Sequence, residues 1–329
     1  MNLLVALGLV VGLFVVGMAG GALGAGWLFG VVIPYLAVAT FVLGFVYRVL
    51  GWAKVPVPFR IPTTCGQERS LPWIRQQKLD NPDSTASVIG RMALEILCFR
   101  SLLRNTRTQQ LDGPHLVYGT DLSLWAGAMA MHWALLIVLI RHLRLFTNPV
   151  PVFVTFVERV DGFFEIGLPV FNVTSIVLLV ALAYLLYRRL ALPQVRYISL
   201  LQDYFALLLL FGIAGSGFWL RHLAPTDITS VKALVLGLTH FAPVVPQTIS
   251  PLFYGHLFLV SSLLIYFPFS KLMHMPGVFL SPTRNLANNN RAVRHVNPWD
   301  YPVKVHPYAE YEDEFREKMI TAGIPVERQ

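Results

Sequence analysis

The sequence predicts an all-α polytopic membrane protein with six transmembrane helices. Hydrophobic residues make up 55% of the 329 residues and charged residues only 13%, a balance outside the range of ordinary soluble domains. Six segments are apolar over the roughly 20 residues that a helix needs to cross a bilayer core, where the backbone must satisfy its hydrogen bonds internally. The six segments are residues 3–24, 28–48, 122–144, 167–187, 198–220 and 252–273.

The first two spans form an N-terminal hairpin, residues 1–50. Residues 19–22 read Ala-Gly-Gly-Ala, which resembles the small-residue cleavage site of a signal peptide, but no basic residue precedes the apolar stretch. A secretory signal normally begins with a positively charged region. We therefore expect the first helix to be retained.

Basic residues are concentrated on one side of the predicted bundle. Under alternating topology, residues 48–120, 188–197 and 271–329 hold ten, three and eight of the 26 Lys and Arg residues, and the opposite side holds five. The positive-inside rule then places the long loop 51–120 and the tail 276–329 on the cytoplasmic side of the cytoplasmic membrane. The formal charge of +8 thus reports topology in the lipid bilayer and does not indicate nucleic-acid binding.

The loop 51–120 begins with turn-forming prolines and continues as an amphipathic basic helix after Ser84. The apolar positions of this helix are Val88, Ile89, Met92, Ala93, Ile96, Leu97, Leu102 and Leu103, and the basic ones are Arg91, Arg100, Arg104 and Arg107. Such a helix lies on the membrane surface or packs against a partner. A short charged helix is expected in the tail at residues 309–320, where a soluble partner would offset the cost of ordering.

Residues 121–275 carry the other four spans. Gly212, Gly215 and Gly217 in the fifth span permit either close helix contact or space for a flat ligand. Asp203, near the inner end of the same span, is expected to pair with an inner-loop arginine. The apolar loop 221–251 contains several prolines and is expected to form an interfacial or re-entrant cap.

Four of the nine histidines lie within or at the ends of the third and sixth spans. An ionisable side chain in a membrane span is costly and by default marks a functional site. His142 and His256 lie toward the outer ends of their spans and can share one metal, while the deeper His132 and His274 can share a second. The remaining histidines are His115, His222, His240, His295 and His306. A single histidine at a helix end, such as His222, is more often hydrogen-bonded than a metal ligand.

Two imidazoles on one iron leave no open coordination position, which suits electron-transfer haems better than oxygen chemistry. Two such haems at different depths would carry electrons across the membrane. The sequence has no CxxCH motif, so both would be non-covalent b haems. Ten helical residues rise about 15 Å and eighteen about 27 Å, so pairing the four histidines requires tilt, haem inclination or a helix break at Pro268. The two cysteines, Cys65 and Cys98, are too few to hold an iron–sulfur cluster.

The competing hypothesis is a protein of another class, a transporter or a membrane anchor without haem. In such a protein the four histidines bind protons, a metal or nothing. A reduced b-type visible spectrum separates the two classes.

The stretch His256-Leu-Phe-Leu-Val-Ser-Ser-Leu-Leu-Ile-Tyr-Phe-Pro-Phe-Ser-Lys-Leu-Met-His274 resembles the last ligand helix of the γ subunits of respiratory nitrate reductases. These are dihaem cytochromes b that oxidise quinol. The ten-residue step from His132 to His142 is similar to their other ligand helix, and the resemblance covers roughly residues 120–285. It implies a four-helix dihaem cytochrome b core, residues 121–275, with two b haems. The ligand pairs that it implies are His132 with His274 at the inner haem and His142 with His256 at the outer haem.

Four stretches outside that core resemble the M subunits of DsrMKJOP, the membrane complex associated with dissimilatory sulfite reductase. They are residues 58–66, 70–74, 90–95 and 99–105. With them the resemblance covers nearly the whole chain. It implies a cytoplasmic iron–sulfur partner, a DsrK-like subunit related to heterodisulfide reductase, within a larger membrane complex of dissimilatory sulfur metabolism. The alternative is a quinol-oxidising cytochrome b subunit of another respiratory reductase.

The resulting prediction is an electron-transfer subunit of a quinone-reactive oxidoreductase complex, with menaquinone or another quinone bound near the outer haem. Quinol oxidation releases protons together with electrons, so titratable groups are required there. The candidates are Glu158, Arg159, Asp161, Glu165 and His222. The nitrate reductase relatives use a lysine after the second ligand, whereas residues 146–165 contain no lysine and Arg159 is their only basic residue. For each candidate the alternative is an ordinary solvated loop residue.

Overall fold

A computed structural model of the chain describes residues 1–54, 57–61, 71, 73–104, 106–162, 171–296 and 306–327. These residues are predominantly helical. In chain order the helices are α1 (Asn2–Ala22), α2 (Ile33–Ala53), α3 (Thr85–Cys98), α4 (Leu122–Phe146), α5 (Val152–Asp161), α6 (Val173–Ala191), α7 (Pro193–Ile198), α8 (Leu201–His222), α9 (Ile228–Thr239), α10 (Pro251–Tyr266), α11 (His274–Gly277), α12 (Pro282–Asn285) and α13 (Tyr308–Thr321). Between α3 and α4, the strands β1 (Arg107–Gln110) and β2 (Leu116–Gly119) pair antiparallel, with Arg107 opposite Gly119.

Within the described ranges, six helical segments are long and apolar enough to cross a membrane, which confirms the predicted fold class. They are α1, α2 together with the preceding π-helical turn Leu28–Val32, α4, α6, α8, and α10 extended to Phe269. Their ends lie close to the predicted ones. The fourth span begins at Val173, and its expected start near residue 167 lies outside the described residues.

The N-terminal hairpin packs closely against the predicted core. α1 lies along α10 and α8, and α2 lies along α10. A Cβ on Gly17 would lie 2.7 Å from Phe258 Cβ, and a Cβ on Gly255 would lie 2.8 Å from the ring of Phe14. Both helices therefore need glycine at this crossing, because small residues allow the two backbones to approach.

One end of the bundle, called the loop end here, carries the long loop and the start of the tail. The backbone N–H of Asn288 donates to Pro82 O at 2.6 Å, and its side-chain amide donates to Asn81 Oδ1 at 2.6 Å. Arg60, which is 2% exposed, donates from Nε to Thr283 O at 3.1 Å. These contacts join the described parts of residues 57–104 and 278–296 into one unit, called the loop platform. The opposite end of the bundle is called the far end.

Asp80 lies at the centre of the loop platform. Its carbonyl oxygen accepts hydrogen bonds from Arg60 at 2.6 Å and from Arg91 at 2.5 Å. Its carboxylate forms ion pairs with Arg100 and Arg104. Burial favours the neutral acid, but the hydrogen bonds and positive charges of Arg100 and Arg104 outweigh that effect and lower the pKa of Asp80. Part of the positive charge of the loop is therefore neutralised inside the platform.

The helix predicted after Ser84 is α3, and the Ser84 hydroxyl caps it by accepting the N–H of Ser87. α3 ends at Cys98, earlier than the apolar spacing predicts, because Phe99 adopts the left-handed conformation with φ 48° and ψ 46°. That conformation costs a residue with a side chain about 1–2 kcal/mol. A short 3-10 turn then takes up the predicted positions Leu102 and Leu103.

The face that α3 buries differs from the predicted apolar face. The buried side chains are Val88, Arg91 and Glu95. Ile89 is 64% exposed and Leu97 is 50% exposed. The arginine and the glutamate are turned inward because the platform supplies polar partners, such as the Asp80 carbonyl for Arg91. An apolar edge of α3 is consequently left uncovered in the single chain.

The far end is covered by α9, which lies in the segment for which a cap is expected. α9 packs on α4. Val231, Leu234 and Val235 of α9 are buried in a core cluster that includes Tyr254 of α10. The loop 221–251 thus forms a packed cap over this end of the bundle.

Two further expectations concern the loop end and the tail. Lys271 Nζ lies 2.8 Å from the Asp203 carboxylate, so the expected pairing of Asp203 with an inner-loop arginine is wrong. A lysine that follows the sixth span reaches this carboxylate because α8 begins where the sixth span ends, and the two helices pack together. The charged tail helix expected at residues 309–320 is confirmed as α13.

Candidate functional site

The four predicted histidines lie on three helices. His132 and His142 lie on α4, His256 lies on α10, and His274 begins α11. In the described part of the chain, α4 packs mainly on α5, α6 and α9, whereas α10 packs mainly on α1, α2 and α8. The helices that carry the histidines are therefore held in place by their neighbours and not by each other.

His132 and His274 form the loop-end pair. Their ring centroids lie 6.2 Å apart and their planes are inclined by 84°. His132 Nδ1 lies 2.8 Å from Ala128 O, and His274 Nδ1 lies 2.9 Å from Lys271 O. A carbonyl oxygen can only accept, so each Nδ1 carries a proton and a neutral ring keeps its lone pair on Nε2. Both rings are thus in the tautomer that binds a metal through Nε2.

A break after α10 brings His274 to His132. α10 ends at Tyr266, and two 3-10 turns, Phe267–Phe269 and Lys271–Met273, carry the chain to His274. Pro268 lacks the N–H that would continue the helix. A continuous helix would rise about 27 Å over the eighteen residues of α10 and beyond, against about 15 Å over the ten residues of α4. The expected break at Pro268 is therefore present, and it is one of the three ways in which the sequence allows this mismatch to be absorbed.

His142 and His256 form the far-end pair. His142 Nδ1 lies 2.7 Å from Val138 O, and His256 Nδ1 lies 2.9 Å from Ser216 Oγ on α8. The Ser216 hydroxyl lies 2.7 Å from Gly212 O, to which it can only donate, so it accepts the proton of His256 Nδ1. The far-end pair therefore presents Nε2 in the same way as the loop-end pair.

The three glycines of α8 serve different purposes. A Cβ on Gly212 would lie 3.0 Å from Val10 of α1, which is close helix contact. A Cβ on Gly217 would lie 3.2 Å from the His256 ring, so this glycine makes room for the imidazole. A Cβ on Gly215 would have no neighbour within 4 Å. The expected close helix contact is thus present at Gly212, whereas space for a flat ligand stays a prediction.

The four histidines fit haem better than a bare metal ion. A metal–nitrogen bond of about 2 Å on each side of one iron places two imidazole centroids about 6 Å apart, and the loop-end pair has 6.2 Å. None of the four Nε2 atoms hydrogen-bonds to a residue that the structure describes. Those same residues contain no group of three or more His, Cys, Asp or Glu side chains that could hold a metal ion. A haem needs only two protein ligands, because the porphyrin supplies the other four.

Asp161, a predicted quinone-site residue, belongs to a buried network at the far end. Its carboxylate accepts from Arg141 Nη1 at 2.7 Å and from the Thr174 hydroxyl at 2.7 Å. Arg141 also donates to Asn172 Oδ1 at 2.6 Å. Because Arg141 precedes His142 on α4, the network ties the histidine helix to the end of α5 and the start of α6.

Three other predicted quinone-site residues are Glu158, Arg159 and Glu165. Glu158 pairs with Arg144 at 2.8 Å. Arg159 is exposed. Glu165 lies outside the described residues. For Glu158 and Arg159 these positions match the alternative of ordinary loop charges.

His222 differs from the other described candidates because it has an unused polar atom in a buried place. It is 6% exposed, and its Nε2 has no hydrogen-bond partner among the described residues. Its ring centroid lies 4.9 Å from that of Phe171 and 4.6 Å from that of Phe218. A buried polar atom without a partner costs about 1–3 kcal/mol. The position is therefore suited to a ligand that supplies the missing hydrogen bond.

Four residues that contact the site or its supporting network were not among the predicted site residues: Arg141, Asn172, Ser216 and Phe99. The ring of Phe99 lies 4.8 Å from that of His132 at 83°. The sequence could have indicated Arg141, since a charge inside a membrane span needs a buried partner. Ser216 and Phe99 carried none, because each touches its histidine across two different elements.

Comparison with known proteins supports the predicted core. The family model of the nitrate reductase gamma subunit matches residues 118–295. A relative from Archaeoglobus fulgidus, named Hdr-like menaquinol oxidoreductase cytochrome b-like subunit, is 46% identical over 283 residues, which cover 84% of this chain and 84% of the relative. A relative of the same name from Archaeoglobus profundus is 39% identical over 300 residues, covering 89% of this chain and 87% of the relative. The predicted resemblance is thereby confirmed, and the chain belongs to the nitrate reductase gamma subunit family of membrane proteins.

Proposed function

We propose that this chain is a membrane cytochrome b that binds two b haems and exchanges electrons between a quinol at the far end and a redox partner at the loop end. The observation that carries the proposal is the shared geometry of four histidines in two pairs. Each Nδ1 is hydrogen-bonded to an oxygen, and each Nε2 is left for a ligand. The proposed axial ligands are His132 with His274 at the inner haem and His142 with His256 at the outer haem.

Haem between two imidazoles supplies reversible one-electron chemistry with no open position for oxygen. The chain holds the four rings in the neutral tautomer and at two depths of the bundle. Electrons exchanged between the two depths would cross part of the membrane potential, and crossing all of it is worth about 2.3 kcal/mol per charge and 100 mV. Both relatives are named menaquinol oxidoreductase subunits, which favours menaquinol as the electron donor.

The quinol site is proposed beside the far-end pair, at His222. Nε2 of His222 would hydrogen-bond an oxygen of the quinol ring, and the rings of Phe171 and Phe218 would pack against it. The stretch 163–170, which includes Glu165, precedes Phe171 in the chain. Asp161 supports the site through Arg141 and does not itself hold the quinol, because its carboxylate is already committed to the Arg141 and Thr174 bonds.

The redox partner is proposed to dock on the loop platform. The platform touches the loop-end pair directly, through Phe99 on His132, and α3 leaves Ile89 and Leu97 exposed. By the positive-inside rule, the excess of Lys and Arg on this side favours a cytoplasmic position for the platform. The resemblance of residues 58–66 and 90–95 to M subunits favours a DsrK-like iron–sulfur partner and dissimilatory sulfur metabolism.

The haem proposal is tested by the visible spectrum and haem content of the full chain purified in mild detergent. We expect a b-type α band on reduction with dithionite and two haems per chain, falling to one in His132→Ala and in His142→Ala. His240→Ala is the matched control, because His240 Nδ1 also lies 2.7 Å from a backbone carbonyl, that of Leu236, but outside the pairs. A wild-type protein without the α band would refute the proposal and favour the transporter or anchor class.

The quinol proposal is tested with His222→Phe, which keeps an aromatic ring but removes Nε2. We expect an unchanged haem content and a reduction of the haems by a menaquinol analogue that is slower by at least about fivefold, since a lost hydrogen bond from a buried group is worth about 1–3 kcal/mol. His240→Phe serves as the control. Equal rates of reduction in wild type and His222→Phe would place the quinol elsewhere.

A further inference from the structure

We propose that Phe99 is a positioning residue for His132, through which the loop platform sets the orientation of the loop-end imidazole. The spectroscopic part of this inference rests on the proposed haem function. The ring of Phe99 meets that of His132 at a centroid distance of 4.8 Å and an angle of 83°. A perpendicular contact of this kind is a favoured geometry between aromatic rings.

The contact supplies a constraint that His132 otherwise lacks. The hydrogen bond from Nδ1 to Ala128 O holds one edge of the imidazole. A single hydrogen bond leaves the ring free to tilt about that edge. The Phe99 ring bears on the imidazole from a second direction, so that together they hold the plane at 84° to the plane of His274.

The backbone of Phe99 adopts an unfavourable conformation, which indicates that the surrounding structure holds this residue in place. Phe99 has φ 48° and ψ 46°, and among the described residues only Phe241, with φ 55°, is another non-glycine residue at positive φ. A bulky residue in this region is an outlier. Such conformations persist where the surrounding structure enforces them, and they concentrate at functional sites.

α4 itself enforces the position of Phe99. The indole Nε1 of Trp125 donates to Cys98 O at 2.8 Å, and the indole Nε1 of Trp133 donates to Leu97 O at 3.2 Å. These carbonyls belong to the last turn of α3, immediately before Phe99. α3 is thus fastened to the helix that carries His132, and these bonds hold the Phe99 ring in a fixed position against the imidazole.

The test compares Phe99→Leu, Phe99→Gly and Phe99→Tyr in the full chain. The first two remove the ring, and glycine also relieves the left-handed backbone, so a loss of folding would appear in Phe99→Leu and not in Phe99→Gly. In oxidised protein we expect both to change the low-spin EPR signal of one haem, whose anisotropy depends on the angle between its imidazole planes, and to shift the midpoint potential of that haem alone. Phe99→Tyr should retain both wild-type values.

Phe241→Gly is the matched control, since Phe241 is also a left-handed phenylalanine but lies at the far end, stacked on Tyr35 at 5.9 Å. It should leave both haem signals unchanged. If Phe99→Gly and Phe99→Leu keep the wild-type EPR signal and potentials at full haem content, Phe99 only terminates α3 and the proposal is wrong.

A second readout needs no haem. Diethyl pyrocarbonate labels exposed imidazoles, and mass spectrometry measures the label on His132. In haem-free protein, Phe99→Gly should accelerate labelling of His132 several-fold, while Phe241→Gly should not. Equal labelling rates would overturn the positioning role, whereas an absent b-type spectrum with accelerated labelling would overturn only the haem proposal.

Discussion

The two histidine pairs present their rings alike but are supported differently. At the loop end, both Nδ1 partners are backbone carbonyls of the histidine's own segment, Ala128 O and Lys271 O. At the far end, His142 uses a carbonyl of its own helix, whereas His256 uses the Ser216 hydroxyl of a neighbouring helix. Backbone carbonyls are present whatever the side chain, so the loop-end tautomers follow from helix geometry. The tautomer of His256 depends on one side chain.

The surroundings of the two pairs also differ, since the neighbours are apolar at the loop end and polar at the far end. The loop-end pair is contacted by an apolar ring, Phe99, delivered by the platform. The far-end pair lies beside charged and polar groups. The buried Arg141–Asp161 ion pair adjoins His142, and the α8 helix whose Ser216 contacts His256 also carries His222, whose Nε2 has no partner among the described residues. An apolar cover suits exchange of electrons alone. Polar groups suit a reaction that also moves protons, so the asymmetry supports quinol chemistry at the far end.

The largest expected effect tests whether the pairs are assigned correctly. His274→Ala should remove the same haem as His132→Ala, and His256→Ala the same haem as His142→Ala, because loss of either axial imidazole breaks a bis-imidazole site. The two classes of variant are told apart by the potential and the α-band maximum of the haem that remains. A cross-pattern, in which His274→Ala matches His142→Ala, would contradict the assignment and with it the comparison.

The next largest effect compares the loss of stability when the buried Arg141–Asp161 ion pair is broken with the loss when the more exposed Lys271–Asp203 pair is broken. Asp161→Asn leaves the Arg141 guanidinium without its buried counter-charge, which typically costs about 3–5 kcal/mol. Asp203→Asn at the loop end should cost less than about 1 kcal/mol, because its partner Lys271 is 67% exposed and can be solvated instead. Thermal unfolding in detergent measures both. Similar losses of thermal stability in the two variants would show that the far-end network does not stabilise the fold more than the Asp203–Lys271 pair does.

A smaller effect tests the side-chain support of the far-end pair. Ser216→Ala removes the acceptor for His256 Nδ1, and loss of such an outer partner typically weakens metal binding by about 10–100-fold. We expect faster loss of one haem to a haem-binding acceptor protein. Ser262→Ala is the control, because the only partner of the Ser262 hydroxyl among the described residues is Phe258 O of its own helix. Unchanged haem retention in Ser216→Ala would show that His256 keeps its tautomer without this serine.

The smallest expected effect concerns two carboxylates, Asp121 at the start of α4 and Asp227 at the start of α9. The Ser123 hydroxyl and the Arg188 guanidinium lower the pKa of Asp121 to about 2, and the hydroxyls of Ser230 and Thr229 lower that of Asp227 to about 2. A lowered pKa stabilises the fold above the unfolded value of about 4, and this contribution is lost as the pH falls toward about 2.

Asp121→Asn should therefore cost about 1 kcal/mol near neutral pH after solvent screening, with the loss vanishing in acid. High salt should reduce the effect of Asp121→Asn, because Asp121 pairs with Arg188 at 2.7 Å. Asp227→Asn should show little salt dependence, since its partners are neutral hydroxyls. Thermal midpoints between about pH 2 and pH 7, at low and high salt, measure both. If salt changed the stability loss of Asp227→Asn and not that of Asp121→Asn, this account of the two carboxylates would be wrong.

Most of the fold and the four histidines were predictable because their signals are local. The length of an apolar stretch determines whether it can span a bilayer, and Pro268 stops a helix wherever it occurs. The buried face of α3 was not predictable from spacing, because Arg91 is turned inward by the carbonyl of Asp80. The partner of Asp203 was missed for a similar reason, since Lys271 reaches it from 68 residues away.

The sequence by itself determined the membrane class, the helical spans and the four histidines as candidates for two metal sites. Each of these follows from residue type and short-range periodicity, which depend on the local chain. Only the tertiary structure decided that Ser216 supports His256, that Phe99 bears on His132 and that His222 keeps a buried Nε2 without a partner among the described residues. Those contacts join separate elements, and their existence depends on how the helices pack, which no single stretch of sequence encodes.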